Sequence, residues 1–227
     1  MAAGLLAVTA CGNAPERRDE AAPPSAPAAS PATTPASRSP IVLILGTSLT
    51  AGFGLPDPAL AYPALLQQKA DSAGYRVRIV NAGVSGETSA GALRRLDWVL
   101  QEPVSVFVLE TGANDGLRGQ DPDSLRSNIE GILDRVRRQQ PAPSILLVGM
   151  EALPNLGQAY IRSFRGVYPA VAKKYGVPLV PFLLQDVAGV DSLNQPDGIH
   201  PTVAGQRRIA ETMWRYLEPV LRGLPAA

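Results

Sequence analysis

The stretch IVLILGTSL at residues 41–49 opens with five apolar residues, which a glycine, two hydroxyl side chains and a leucine follow. A continuous apolar run of this length is typical of a strand that is buried on both faces. Four further β-type runs follow, with helical patterns between them: YRVRIV (75–80), VSVFVLE (104–110), SILLVG (144–149) and VPLVPF (177–182). This alternation predicts an α/β fold, a three-layer α/β/α sandwich of flavodoxin-like type around a five-stranded parallel sheet.

The segments between the strands carry apolar residues at spacings of three and four, as helices with one buried face require. The stripes are Leu93, Leu96, Val99, Leu100; Leu125, Ile129, Ile132, Leu133, Val136; Tyr160, Phe164, Val167, Tyr168, Val171, Tyr175; and Val203, Ile209, Met213, Tyr216, Leu217, Val220. Residues 41–227 are therefore predicted to form one domain.

The composition excludes several classes of function. The 227 residues include 21 Lys and Arg against 20 Asp and Glu, a net charge of +1 that argues against nucleic-acid binding. One Cys excludes an internal disulfide framework and a multi-thiolate metal site, and a single His argues against a His-rich zinc or iron site. No Gly-x-Gly-x-x-Gly and no Gly-Lys pair follows the first strand, so no cofactor is expected.

The N-terminal segment differs from the rest of the chain. Residues 1–11 are apolar and end in Val-Thr-Ala-Cys11, which resembles a bacterial lipobox and predicts a signal segment followed by a lipidated Cys11. Residues 12–40, rich in Ala, Pro and Ser, are then a disordered linker that tethers an exported, periplasmic or membrane-anchored domain. The alternative is an apolar N-terminus with an incidental Cys, followed by an ordinary tail.

Polar and glycine residues follow the predicted strands at the ends where open parallel sheets bind ligands. The four segments are GTSL (46–49), NAGVSGET (81–88), GANDG (112–116) and DGIHP (197–201). We therefore expect the functional site at the carboxyl edge of the sheet.

The residue types in these segments suit nucleophilic catalysis. A serine needs a base within hydrogen-bond reach, and His200 is the only imidazole available to Ser48. Asp197, three residues before His200, can orient the ring. The oxyanion formed by attack on a carbonyl needs fixed donors, for which the Ser48 N–H, the Gly86 N–H and the Asn114 amide are candidates.

Each of these residues also has a non-catalytic interpretation. Ser48 can cap a helix, Asp197 and Asn114 both suit turns, and His200 and Gly86 are compatible with ordinary loops. Their joint occurrence at one sheet edge favours the catalytic interpretation.

The four segments resemble the sequence blocks of the SGNH hydrolase superfamily, the GDSL esterases and lipases. Ser48, Gly86 and Asn114 match the Ser, Gly and Asn of the first three blocks, and Asp197 and His200 match the D-x-x-H of the last. The resemblance covers residues 41–220 and is greatest to the periplasmic bacterial branch. It implies an arylesterase, acyl-thioesterase or lysophospholipase that forms an acyl-enzyme on Ser48.

The sequence departs from the family in one position, because Thr47 stands where the family motif Gly-Asp-Ser-Leu has Asp. A Thr hydroxyl can form hydrogen bonds but carries no charge.

Residues 150–155, after the fourth strand, either line an acyl pocket or form a plain turn. Two other functions stay open: a carbohydrate O-acetylesterase of the same superfamily, and a lipoprotein that has lost activity and serves as a binding module.

Overall fold

The computed structural model describes residues 39–225, which contain a five-stranded, fully parallel sheet. The strands are β1 (Ile41–Gly46), β2 (Arg78–Gly83), β3 (Val106–Glu110), β4 (Ser144–Val148) and β5 (Leu179–Val180). Their order across the sheet is β2-β1-β3-β4-β5. The chain reverses its direction of growth between β2 and β3, so the carboxyl ends of β1 and β3 meet at a switch point that suits ligand binding.

Within the described residues, seven α-helices connect or follow the strands. They are α1 (Ser48–Ala51), α2 (Tyr62–Ser72), α3 (Ser89–Val99), α4 (Ala113–Leu117), α5 (Pro122–Gln139), α6 (Gln158–Tyr175) and α7 (Val203–Arg222). Helix α2 packs on α7, while α5 packs on both α3 and α6. The helices thus form two groups around the sheet, and the predicted α/β sandwich with five parallel strands is confirmed.

The central strands carry the core. Every residue of β1 and β3 is buried, and β4 is buried from Ile145 onward. The buried apolar residues of α5, α6 and α7 largely coincide with the predicted stripes. Because β1 and β3 are packed on both faces, they form a rigid scaffold for the segments that follow them.

The sequence-based bounds of the two edge strands are wrong. Strand β2 runs over Arg78–Gly83 rather than 75–80, and its residues are exposed or half-buried because it pairs only with β1. Asn81, Ala82 and Gly83 therefore belong to the strand rather than to the loop after it. Strand β5 shrinks to two residues between Pro178 and Pro181, which have no N–H to donate to a ladder.

The predicted signal segment with Cys11 lies outside the described residues, as does the linker up to residue 38. Within residues 39–225, no helix combines the length and apolar character needed to span a bilayer.

Candidate active site

Ser48 is presented by a tight strand-to-helix turn. Strand β1 ends at Gly46, Thr47 adopts an extended conformation as the N-cap, and Ser48 is the first residue of α1. An N–H in the first turn of a helix has no intrahelical acceptor. The Ser48 N–H is therefore available to a ligand that binds beside the Ser48 hydroxyl.

The loop before α7 is folded by its own aspartate. Asp197 Oδ1 accepts hydrogen bonds from the N–H groups of Ile199 and His200, both at 3.0 Å. Gly198, between Asp197 and Ile199, has φ +73°, a left-handed conformation that glycine adopts without strain. The Gln195 N–H also donates to the His200 carbonyl, at 2.7 Å. This turn chemistry is what brings the Asp197 side chain back onto the imidazole.

His200 joins the two segments. Its Nδ1 lies 2.7 Å from Asp197 Oδ2, and its Nε2 lies 3.0 Å from Ser48 Oγ. The Asp197 carboxylate can only accept, so Nδ1 carries the proton and Nε2 is free to accept from the serine hydroxyl. Phe53 packs against the imidazole, with ring centroids 4.6 Å apart.

The Asp197 carboxyl is held in its ionised form. The hydrogen bond from the His200 ring, followed by those from the His200 and Ile199 N–H groups, lowers its pKa to about 2. Asp197 is thus charged throughout the range in which a histidine titrates. A fixed negative charge at Nδ1 favours the imidazolium that forms when His200 takes a proton.

Two further candidate donors follow the neighbouring strands: Gly86 in the loop after β2, and Asn114 in α4, which follows β3. Gly86 has φ +76°, and its N–H has no acceptor among residues 39–225. The Asn114 side chain is fixed by one hydrogen bond from Nδ2 to the Glu87 carbonyl, at 2.9 Å, which leaves its second amide hydrogen free. Both residues line the cavity that contains Ser48. The arrangement has the form of an oxyanion hole.

The backbone conformation at position 86 favours glycine. A Cβ on Gly86 would meet only Arg118 Nη2, at 3.9 Å, so no protein atom crowds the position. Its positive φ is what disfavours any other residue.

Replacing Asn114 with alanine is expected to lower kcat by about 10²–10³-fold, because one oxyanion donor is lost. Steady-state kinetics on a p-nitrophenyl ester measure the change. Asn155→Ala is the control, since Asn155 is exposed and does not line the cavity. A kcat for Asn114→Ala within twofold of the wild type would remove Asn114 from the oxyanion hole.

The cavity beside Ser48 has a volume of about 660 Å³ and a mostly apolar wall. Its apolar side chains include Leu49, Phe53, Leu117, Met150, Leu153 and Phe182. From the predicted pocket stretch 150–155, residues 150–154 line it and Asn155 does not. Phe53, Leu117 and Leu153 also remain 51%, 40% and 37% exposed, so the mouth of the cavity is apolar as well.

Two buried carboxyls near the site were not among the residues selected from the sequence. Asp115 accepts from both the N–H and the hydroxyl of Ser89, and so ties the start of α3 to α4. Glu110 accepts from the N–H and the hydroxyl of Thr47. Burial raises the pKa of Glu110, and the hydrogen bonds from Thr47 and Thr50 partly offset that rise. The sequence offered one signal for Glu110, which is the acidic residue at the end of an otherwise apolar strand.

Comparisons with known proteins find similar proteins in one family. Residues 44–208 match the model of the GDSL-like Lipase/Acylhydrolase family. Esterase TesA of Pseudomonas aeruginosa is 42% identical over 181 residues, which are 79% of this chain and 89% of TesA. Thioesterase 1/protease 1/lysophospholipase L1 of Escherichia coli K12 is 38% identical over 181 residues, 79% of this chain and 84% of that protein.

A solved structure shows the same likeness in three dimensions. The psychrotrophic esterase EstA from Pseudoalteromonas sp., inhibited by monoethylphosphonate, superposes with a TM-score of 0.75 at 32% identity. The match covers 81% of this chain and 99% of EstA. These similarities confirm the predicted resemblance.

Proposed function

Because the chain belongs to the GDSL-like lipase/acylhydrolase family, we propose that it hydrolyses carboxylic esters through an acyl-enzyme formed on Ser48. The observation that carries this proposal is the hydrogen-bonded chain from Asp197 through His200 to Ser48, with distances of 2.7 Å and 3.0 Å. A nucleophile, a base and an orienting acid at such distances are the parts that serine hydrolysis needs.

In the first half of the reaction, Ser48 Oγ attacks the acyl carbon while His200 Nε2 takes the hydroxyl proton. The carbonyl oxygen becomes an oxyanion and is bound by the Ser48 N–H, the Gly86 N–H and Asn114 Nδ2. The bond to the leaving alcohol or thiol then breaks, and His200 returns the proton to the leaving group. The acyl group stays on Ser48.

In the second half, His200 takes a proton from a water molecule that attacks the acyl-enzyme. The same donors bind the oxyanion of the second tetrahedral intermediate. Its collapse breaks the bond between the acyl carbon and Ser48 Oγ. His200 gives the proton back to the serine, and the carboxylic acid leaves. The imidazole thus ends each cycle in the neutral form with which it began.

The substrate we propose is an ester with a short-to-medium acyl chain, an aryl ester, a thioester or a lysophospholipid. The apolar wall of the cavity supports an acyl chain, since apolar surface gains free energy when an apolar ligand covers it. The exposed Phe53, Leu117 and Leu153 at the mouth extend that surface. An acetylated sugar would offer little apolar surface to this wall, which makes the O-acetylesterase alternative less favourable.

A panel of p-nitrophenyl esters from acetyl to dodecanoyl, with acetylated xylose beside it, tests the substrate class. We expect kcat/KM to rise from the acetyl ester to a medium chain and the acetylated sugar to be the poorest substrate. A maximum on acetyl esters and acetylated sugar would favour the O-acetylesterase instead. A wild-type protein that hydrolyses no ester and reacts with no fluorophosphonate would be the inactive binding module.

We also propose that the chain is exported and anchored to a membrane through a lipidated Cys11. The sequence features that support it are the lipobox-like Val-Thr-Ala-Cys11 and the Pro-rich segment of residues 12–40 after it. Cell fractionation and intact mass of the wild type and of Cys11→Ser test the anchor. Membrane-bound, acylated wild type and soluble Cys11→Ser are expected, and unmodified, soluble wild type would contradict the anchor.

A further inference from the structure

Glu110, the last residue of β3, is a fully buried carboxyl group directed at the turn that carries Ser48. Its Oε2 accepts from the Thr47 N–H at 2.7 Å, and both of its oxygens lie 3.0 Å from the Thr47 hydroxyl. The residue immediately before the nucleophile is therefore held by this carboxyl through its main chain and its side chain.

The same carboxyl also binds the residue two positions after the nucleophile. The Thr50 hydroxyl donates to Glu110 Oε2 at 2.8 Å, and the Tyr62 hydroxyl lies 2.6 Å from the Thr50 hydroxyl. Because Thr50 gives its proton to Glu110, the Tyr62 hydroxyl is the donor to Thr50. The hydroxyls of Tyr62 and Thr50 thus link α2 to Glu110. Ser48 lies in the chain between Thr47 and Thr50, which both donate to this carboxyl.

The backbone is shaped to admit this cluster. A Cβ at Gly46 would lie 2.7 Å from Glu110 Oε2 and even closer to Thr50 Oγ1, so only glycine leaves room for the two groups to meet there. Leu45 of β1 pairs with Leu109 of β3, which brings the ends of the two strands together. The glycine before Thr47 therefore has a packing role as well as a place in the motif.

In the part of the chain that the structure describes, no Lys, Arg or His side chain pairs with Glu110. None of the ion pairs among residues 39–225 includes Glu110, although its side chain has no access to water. A buried carboxyl without a cationic partner is costly unless hydrogen bonds compensate it. An apolar side chain could fill the same space without that cost, but it could not bind the N–H of Thr47. What the carboxyl provides is a fixed orientation of the turn.

We propose that Glu110 is a positioning residue for the nucleophile: it binds Thr47 before Ser48 and Thr50 after it, and so fixes the turn that presents the Ser48 hydroxyl. His200 is held by the turn of residues 195–200, which also binds the Phe53 carbonyl through Gln195. The Ser48–His200 distance therefore depends on this turn and on how firmly the Ser48 turn is fixed. A displacement of a reacting group by about 1 Å can lower the catalytic rate about 10²-fold. The inference rests on the proposed esterase activity.

The test compares Thr47→Val with Thr47→Ser and Glu110→Ala with Glu110→Gln. Thr47→Val and Glu110→Ala remove hydrogen bonds between Glu110 and the turn. Thr47→Ser and Glu110→Gln retain groups that can form these hydrogen bonds. We expect Thr47→Val and Glu110→Ala to lower kcat and the rate constant of Ser48 phosphonylation by a fluorophosphonate by about 10- to 100-fold. KM should stay within about twofold, and Thr47→Ser and Glu110→Gln should recover to within about threefold of the wild type.

Phosphonylation per folded chain separates positioning from stability, because a merely structural role lowers the folded fraction and leaves that rate constant unchanged. Thr212→Val, the same change at a buried threonine of α7, controls for the loss of a hydroxyl. Wild-type phosphonylation rates in Glu110→Ala would overturn the inference. If that variant does not fold, equal rates in Thr47→Val and Thr47→Ser overturn it. An inactive wild type would overturn the proposed function instead.

Discussion

Replacing Ser48 with alanine is expected to lower kcat/KM for any carboxylic ester by about 10⁴-fold or more, because no acyl-enzyme can then form. The change should leave the fold intact. Among residues 39–225, the Ser48 hydroxyl has one hydrogen-bond partner, His200 Nε2, and the residue remains helical when its hydroxyl is lost. The melting temperature and the far-UV circular dichroism spectrum should match those of the wild type.

Steady-state hydrolysis of p-nitrophenyl butanoate measures this effect, and thermal unfolding shows whether the fold is retained. Ser127→Ala is the matched control, since Ser127 lies on the exposed side of α5 and donates to the Asp123 carbonyl. That variant should retain wild-type kcat/KM. A folded Ser48→Ala protein with kcat/KM within tenfold of the wild type would contradict a nucleophilic role for Ser48.

Replacing Asp197 with asparagine should lower kcat/KM by about 10³–10⁴-fold without disturbing the loop. The asparagine Oδ1 can still accept the N–H groups of Ile199 and His200 that fold the turn. Its Nδ2 then faces His200 Nδ1 as a donor, so the imidazole must carry its proton on Nε2. An Nε2–H directed at Ser48 cannot accept the hydroxyl proton, and the base is lost.

The same kinetic assay measures this loss, with Asp191→Asn as the control. Asp191 is an exposed acid in the preceding loop and has no side-chain hydrogen bond among residues 39–225. It should therefore tolerate the amide. Equal activity in Asp197→Asn and Asp191→Asn would show that the Asp197 charge does not orient the imidazole.

The central part of the fold could be predicted from the sequence because its signals are local. Strands β1, β3 and β4 are continuous apolar runs, and α5 to α7 have a clear helical period, so periodicity determines both. Strand β2 could not be placed correctly, because its position depends on pairing with β1 rather than on its own composition. Arg78 and Asn81 are polar residues that an edge strand tolerates and a buried strand does not.

Some residues of the candidate site could likewise be predicted from the sequence, and others could not. Ser48, Asp197 and His200 could be selected from chemistry alone, since the chain has only one histidine. Gly86 and Asn114 gained weight from the family resemblance, because donors on separate segments of the chain leave no spacing signal. Glu110 stands out as the acid at the end of an apolar run, but its role could not be predicted, since its partners Thr47 and Thr50 lie 63 and 60 residues away in the chain. Contacts of that kind exist only once the sheet has formed.

Reaction with a fluorophosphonate, followed by intact mass and peptide mapping, tests the nucleophile most directly. The probe forms a stable bond only with a serine that a base has activated. We predict one phosphonate per chain, on the peptide that contains Ser48, and none on Ser48→Ala. An enzyme that hydrolyses esters while Ser48 stays unlabelled, or that carries the phosphonate on another residue, would contradict the assignment of Ser48 as the nucleophile.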